Sequence, residues 1–160
     1  MILRPERPND REAIRDVVIA AFGQTEEADL VDALRTGKDL TLSLVAEEKG
    51  EILGHIALSR LKSPAKSVAL APVSVRPDRQ GDSISGRLIV GAIARARAAG
   101  EALLFVLGDP AYYSRFGFSL ETAAPYECDY AGEYFMALEL GKGKVAVAPV
   151  VYADAFGGLG

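Results

Sequence analysis

The segment from Ser67 to Leu107 constrains the fold more than any other part of the sequence. Ser67 to Arg76 is strand-like. From about Ser85 to Ala99 the residues Leu88, Ile89, Ala92, Ile93 and Ala96 share one helical face, and Gly100 stops the helix. Leu103 to Leu107 is an unbroken apolar run, the mark of a strand buried on both faces. Together, Val68 to Val75, the helix and Leu103 to Leu107 predict a parallel, right-handed β-α-β unit. Pro72 lacks a backbone N–H, so its strand is expected at a sheet edge or with a bulge at that point.

The remaining pattern surrounds this unit. Ile2 and Leu3 begin a short first strand. Asn9 or Asp10 caps a helix with Ala13, Ile14, Val17, Val18, Ala21 and Phe22 on one face, ending at Gly23. Thr25, Glu26 and Glu27 start a second helix that stops at Gly37. Thr41 to Glu47 and Glu51 to Leu61 read as strands joined by a hairpin turn at Lys49-Gly50. Tyr134 to Leu140 and Val145 to Tyr152 add one or two more. The fold class expected is α/β, an α+β mixed sheet.

At 160 residues, with no repeat or linker, the chain is expected to form one domain over 1–160. The net charge of −4 argues against nucleic acid as a partner, and the single Cys128 and single His55 leave no Cys/His metal cluster. The opening residues carry Arg4, Glu6, Arg7 and Asp10 before any apolar run, unlike a signal peptide. No apolar run approaches the ~18 residues needed to span a bilayer. A reducing, cytoplasmic setting without metal or membrane is expected.

The turn between Val75 and the helix is polar and glycine-containing. The free N–H groups and dipole of a helix start favour an anion there. Between Arg76 and Arg97 there are five arginines, Arg76, Arg79, Arg87, Arg95 and Arg97, against two acids, Asp78 and Asp82. The stretch has neither a Lys-Ser or Lys-Thr pair for a nucleoside triphosphate nor a G-x-G-x-x-G dinucleotide fingerprint. A different phosphate-bearing ligand is indicated.

Val75, Pro77, Gln80, Ile84 and Leu88 fit a strand ending Val-x-Pro followed by (Gln or Arg)-x-x-Gly-x-(Gly or Ala), and Tyr113-Ser114-Arg115-Phe116-Gly117-Phe118 fits Tyr-x-x-x-Gly-Phe. On these two motifs the chain resembles the GNAT superfamily of N-acetyltransferases, from Ile2 to about Leu140. The resemblance implies a GNAT-like acyl-CoA N-acyltransferase fold, with a mostly antiparallel central sheet, one parallel β-α-β unit and a splayed cofactor cleft. It implies acetyl-CoA as cosubstrate, with its pyrophosphate on the N–H groups of Gly81, Asp82, Ser83, Ile84, Ser85 and Gly86, beside Gln80. The pantetheine arm would pair like an added strand with Val73, Ser74 and Val75, where a backbone N–H would polarise the thioester. An amine of the acceptor, a small molecule or a protein, attacks directly.

Tyr113 matches the family's tyrosine that protonates the leaving thiolate. Asp109 as N-cap and Pro110 at the first helical position would begin a short helix that brings Tyr113 to the cleft. No general base is assigned. His55 shares a strand face with Leu53 and Ala57, where a lone His is more often packed, and Asp109, Glu121 and Glu127 have no better claim.

The family pattern is broken in four places. Ser83 stands where the characteristic loop glycine is expected, Ser85 mildly replaces a second small residue, Asp82 adds negative charge beside an anionic ligand, and Val106 takes the place of a frequent Asn. Two readings follow: a working acetyltransferase, and a catalytically impaired GNAT-fold domain serving as an acyl-CoA-binding or interaction module. Acceptor specificity is expected from the first two helices, the loop Arg60 to Lys66 and the C-terminal strands. Glu26, Glu27 and Asp29 either attract a cationic acceptor or form a solvated helix start. The apolar tail from Val145 to Phe156 allows a homodimer.

Overall fold

A computed structural model describes residues 1–141 and 143–159. Six strands, β1 (Ile2–Pro5), β2 (Leu40–Glu48), β3 (Glu51–Arg60), β4 (Ser67–Val75), β5 (Leu103–Leu107) and β6 (Phe135–Glu139), form one sheet in chain order. All neighbours are antiparallel except β4 and β5, which are parallel. The β2–β3 hairpin turns at Lys49-Gly50 with φ of 52° and 81°, the double positive φ that a tight primed turn needs.

Helices α1 (Arg11–Phe22) and α2 (Glu26–Thr36) cover one face of the sheet, and α3 (Ile84–Ala98) covers the other. The core under α3 gathers Leu88, Ile89 and Ala92 against Leu44, Ile56, Leu58 and Leu104. On the opposite face Ile14, Val17 and Val18 close over Val45 and Ile52. Two one-turn helices, α4 (Pro110–Tyr113) and α5 (Leu120–Ala123), follow β5.

Two departures from strand regularity create the cleft. Strands β4 and β5 pair only at Ser67 with Leu103, Val68 with Leu104 and Ala69 with Phe105, and then separate. From Leu70 onward the β5-facing edge of β4 has no strand partner among the described residues. On its other edge the register with β3 slips between Ile56/Val73 and Leu58/Leu70, which makes a bulge at Ala71-Pro72. Of the two arrangements expected at Pro72, the bulge is the one adopted, inside the sheet.

The expected strand at Val145 to Tyr152 is not formed. The N–H of Val150 donates to Glu127 O, and Val151 exchanges bonds with Ser63 and Lys62, so the segment's backbone is divided between two loops. Val150 and Ala153 are buried against the same chain. Val147 and Val151 of the same tail stay exposed, at 60% and 42%.

Candidate active site

The β4–α3 connection carries the unusual backbone. Gly81 has φ +95° and Ser83 has φ +62°, ψ 20°, a left-handed conformation that costs an L-residue ~1–2 kcal/mol. Ser83 thus holds the conformation expected of the loop glycine it replaces. The N–H groups of Ser83, Ile84, Ser85 and Gly86 have no protein acceptor among the described residues. They form the open first turn of a 15-residue helix.

A 340 Å³ cavity runs beside this turn and the end of β4. Val73, Ser74, Val75, Gln80, Gly81, Ser83, Ile84 and Ser85 line it, whereas Asp82 and Gly86 do not. The Asp82 carboxylate turns to Arg79 at 2.7 Å, and Gly86 faces the Phe116 ring. The hydroxyl of Ser85 is bonded to the Tyr112 hydroxyl at 2.6 Å, which ties α4 to the start of α3.

The arginine excess read from the sequence is largely neutralised. Arg79 bridges Glu48 at 2.8 Å and Asp82, and Arg76 bridges Asp78 at 2.9 Å and Glu51 at 3.1 Å. Arg97 donates to Leu140 O and Arg95 to Gly91 O. Glu48 and Glu51 come from the β2–β3 hairpin, so local charge counting along 76–97 did not include them. Arg87, exposed on the first turn of α3, has no ion pair among the described residues.

Asp109 caps α4 as expected, its carboxylate accepting the Ala111 N–H at 3.0 Å. Tyr113 is 9% exposed, with edge-on contacts to Tyr112 and Phe118. Burial, with the neighbouring Tyr112, pushes its phenol up to about 12, so it stays protonated and able to donate throughout the neutral range. The Cδ2–Cε2 side of the ring lies against Gly108, where a Cβ would come within 2.2 Å of Tyr113 Cε2.

Tyr113 also lines a second cavity of 510 Å³, which shares Phe22 and Val73 with the first. Its walls come from α1, α2, β4, β5 and the C-terminal segment. Glu27 is its one carboxylate, while Glu26 and Asp29 point to solvent or to Arg15.

His55 lines neither cavity and is fully buried. Arg35 binds Glu6 through two bonds of 2.8 and 2.7 Å, and the Ser43 hydroxyl donates to Glu6 at 2.5 Å. A hydroxyl has one proton, so Ser43 accepts from His55 Nε2–H at 2.8 Å and Nδ1 carries the lone pair. Desolvation lowers His55 to about 4, and it is neutral at ordinary pH. Burial alone pushes Glu6 up, but bonds from Arg35 and Ser43 reverse this and hold it below the usual carboxylate range.

A family model described as an acetyltransferase (GNAT) domain matches residues 3–120. The chain belongs to the GNAT acetyltransferases. Such a chain is an acyltransferase. Among similar proteins, the uncharacterized N-acetyltransferase YhbS of Escherichia coli K12 is 33% identical over 136 residues, 82% of this chain and 81% of that one. The crystal structure of YhbS from E. coli in complex with CoA superposes with a TM-score of 0.90 at 30% identity, over 99% of this chain and 93% of that one. A GNAT family acetyltransferase from Brucella melitensis in complex with acetyl-CoA is 42% identical, with a TM-score of 0.83 and 97% of each chain covered.

Within this GNAT chain, the sequence motifs indicated the loop and Tyr113 but not the second cavity. Leu107, Tyr130, Tyr152 and Phe156 line it and carried no recognisable pattern. The Arg60–Lys66 loop, expected at its far side, does not contribute. Gly108 was also missed; its position between the β5 run and the Asp109 cap is the only signal that could have drawn attention to it. Val106, where GNAT proteins often have Asn, is buried in the core under α3, so no polar group enters from that position.

Proposed function

We propose that this chain transfers an acetyl group from acetyl-CoA to a primary amine by direct attack. The observation that carries this reading is the open edge of β4 beyond Ala69, flanked by the free N–H groups of Ser83 to Gly86 and by the buried Tyr113. A splayed strand edge offers a row of main-chain partners to an extended amide arm. The donors at the start of α3 suit a pyrophosphate, and the 340 Å³ cavity beside them is lined by most of the residues named for that role: Val73, Ser74, Val75, Gln80, Gly81, Ser83, Ile84 and Ser85. Acetyl-CoA supplies an activated acyl carbon and a thiolate leaving group.

In this reading a β4 N–H in the Val73–Val75 stretch donates to the carbonyl oxygen as negative charge builds on it. The amine nitrogen forms the new C–N bond, the C–S bond breaks, and Tyr113 gives its phenolic proton to the sulfur. The proton shed by the nitrogen returns to the phenolate through water, which leaves an amide, free CoA thiol and an unchanged enzyme. His55, buried and neutral away from both cavities, has no part in this transfer.

The competing reading, an impaired binding module, rested on Ser83 and Asp82. Ser83 already adopts the left-handed conformation of the glycine, and Asp82 has a counter-charge in Arg79, which supports the working-enzyme reading over the impaired one. Calorimetric titration with acetyl-CoA and CoA tests the cosubstrate site directly; micromolar binding is expected, and absence of binding overturns the proposal. Tyr113→Phe is expected to lower kcat by about 10²-fold with CoA affinity within twofold of the parent. Unchanged kcat would remove Tyr113 from the chemistry.

A further inference from the structure

The 510 Å³ cavity has an unusual lining for a site that receives an amine. Tyr130, Tyr152 and Phe156 form a continuous aromatic wall, with ring centroids 5.5 Å apart between Tyr130 and Tyr152 and 5.1 Å between Tyr152 and Phe156. Opposite elements add Phe22, Leu30 and Leu107. Phe22, Leu107 and Tyr130 are 43%, 43% and 51% exposed, whereas Tyr152 and Phe156 are half-buried and anchored against the core, so the lining offers open apolar surface on a fixed backing. A polar acceptor such as a polyol or a polyamine would lose hydration against these groups and recover few hydrogen bonds.

Against this apolar lining stands one carboxylate, Glu27, in the first turn of α2, half-buried and held by the Gln24 amide at 2.8 and 2.9 Å. A single anion among aromatic faces is the arrangement that binds one ammonium group attached to an apolar body.

From this lining we infer that the acceptor is a primary amine carried on an aromatic or aliphatic body, with Glu27 holding the ammonium and the Tyr130–Tyr152–Phe156 wall holding the body. The inference rests on the acetyltransferase reading above and specifies the acceptor of that same site. Glu27 acts before the chemistry: it captures the cation, which releases its proton to water before the nitrogen attacks.

The test uses the full chain saturated with CoA. Titration with 2-phenylethylamine, hexylamine, ethanolamine and spermidine, read by calorimetry, is followed by CoA release from acetyl-CoA with the same amines. The apolar amines are expected to bind the CoA complex at least 10-fold more tightly than ethanolamine or spermidine and to show the same order in kcat/KM. Straight-chain amines should gain about fourfold per added methylene until the cavity is filled. Glu27→Gln should raise the KM for 2-phenylethylamine at least 10-fold with CoA affinity unchanged, and Tyr130→Ala should reduce the preference for apolar over polar amines. Equal or better use of spermidine or ethanolamine, or a Glu27→Gln variant with parental KM, overturns the inference. Binding of CoA without use of any apolar amine overturns it too and leaves the cofactor reading standing, whereas failure to bind CoA removes both.

Discussion

Ser83 and Gly108 show how single residues set the geometry of the loop and of the candidate proton donor. Ser83 holds φ +62° where glycine would rest without strain. Ser83→Gly relieves the left-handed conformation but adds chain entropy to the unfolded state, so the net gain is expected at about 0.5–1 kcal/mol in urea unfolding. CoA affinity should be unchanged or higher; a loss of stability would show that the serine side chain contributes something its conformation does not reveal. Gly108 has a negative φ, and its value lies in the space it leaves, since an added methyl would sit 2.2 Å from the Tyr113 ring. Gly108→Ala should therefore displace Tyr113 and lower kcat by at least 10-fold while CoA binding, measured by calorimetry, stays within a few-fold. Parental kcat in that variant would mean the ring's place is not critical. The role of Tyr113 was suggested by its motif; the role of Gly108 depends on an approach between α4 and the end of β5 that no local pattern announces.

At the scale of elements, the β2–β3 hairpin and the β4–α3 loop act as one electrostatic unit. Arg79 joins Glu48 to Asp82, and the pairing with Asp82 first, then with Glu48, holds its guanidinium firmly charged. Arg79→Ala would leave Asp82 unpaired, and Glu48 with only the N-terminal ammonium, beside the proposed pyrophosphate site. We expect CoA affinity to fall about 5- to 10-fold at low ionic strength, with the loss shrinking as salt is added, because these groups are solvent-accessible. A loss independent of salt would indicate a collapsed loop instead of altered charge. The β-α-β unit and the hairpin were legible from periodicity and turn chemistry, which depend on residues a few positions apart. The charge state of the loop was not, because two of the acids that set it lie about thirty residues earlier in the chain. The Val145–Tyr152 segment, the optional second of the one or two further strands, has a composition that suits a strand, but its hydrogen bonds go to Glu127, Ser63 and Lys62.

For the whole molecule, the hydrogen-bonded chain Arg35–Glu6–Ser43–His55, which runs from half-buried groups to the fully buried His55, couples stability to pH. Desolvation lowers His55 from 6.5 to about 4, so between these values the unfolded chain binds a proton that the folded chain excludes. Stability therefore rises with pH through that window and is lost as pH falls from 6.5 to 4, by about 3 kcal/mol in total. Glu6, held below its usual value, adds a further loss at lower pH as it is forced to protonate. Urea unfolding measured at half-unit steps from pH 4 to 7.5 should show the slope, and His55→Gln, which keeps a donor for Ser43, should flatten it even if the variant is less stable overall. A parental slope in His55→Gln would place the acid sensitivity elsewhere.

By itself the sequence determined the family and the central β-α-β unit, and it singled out the loop and Tyr113 as candidates, because these follow from periodicity, turn residues and short motifs whose parts act over a few positions. It also narrowed Pro72 to an edge or a bulge. The tertiary structure decided the rest. It chose the bulge, neutralised the loop's arginines, buried His55 beyond use as a base, and selected Glu27 from three neighbouring acids. It also assembled an aromatic wall from Tyr130, Tyr152 and Phe156. These outcomes depend on which distant elements share a face of one sheet, and topology, unlike local propensity, is a property of the chain only once it has closed on itself.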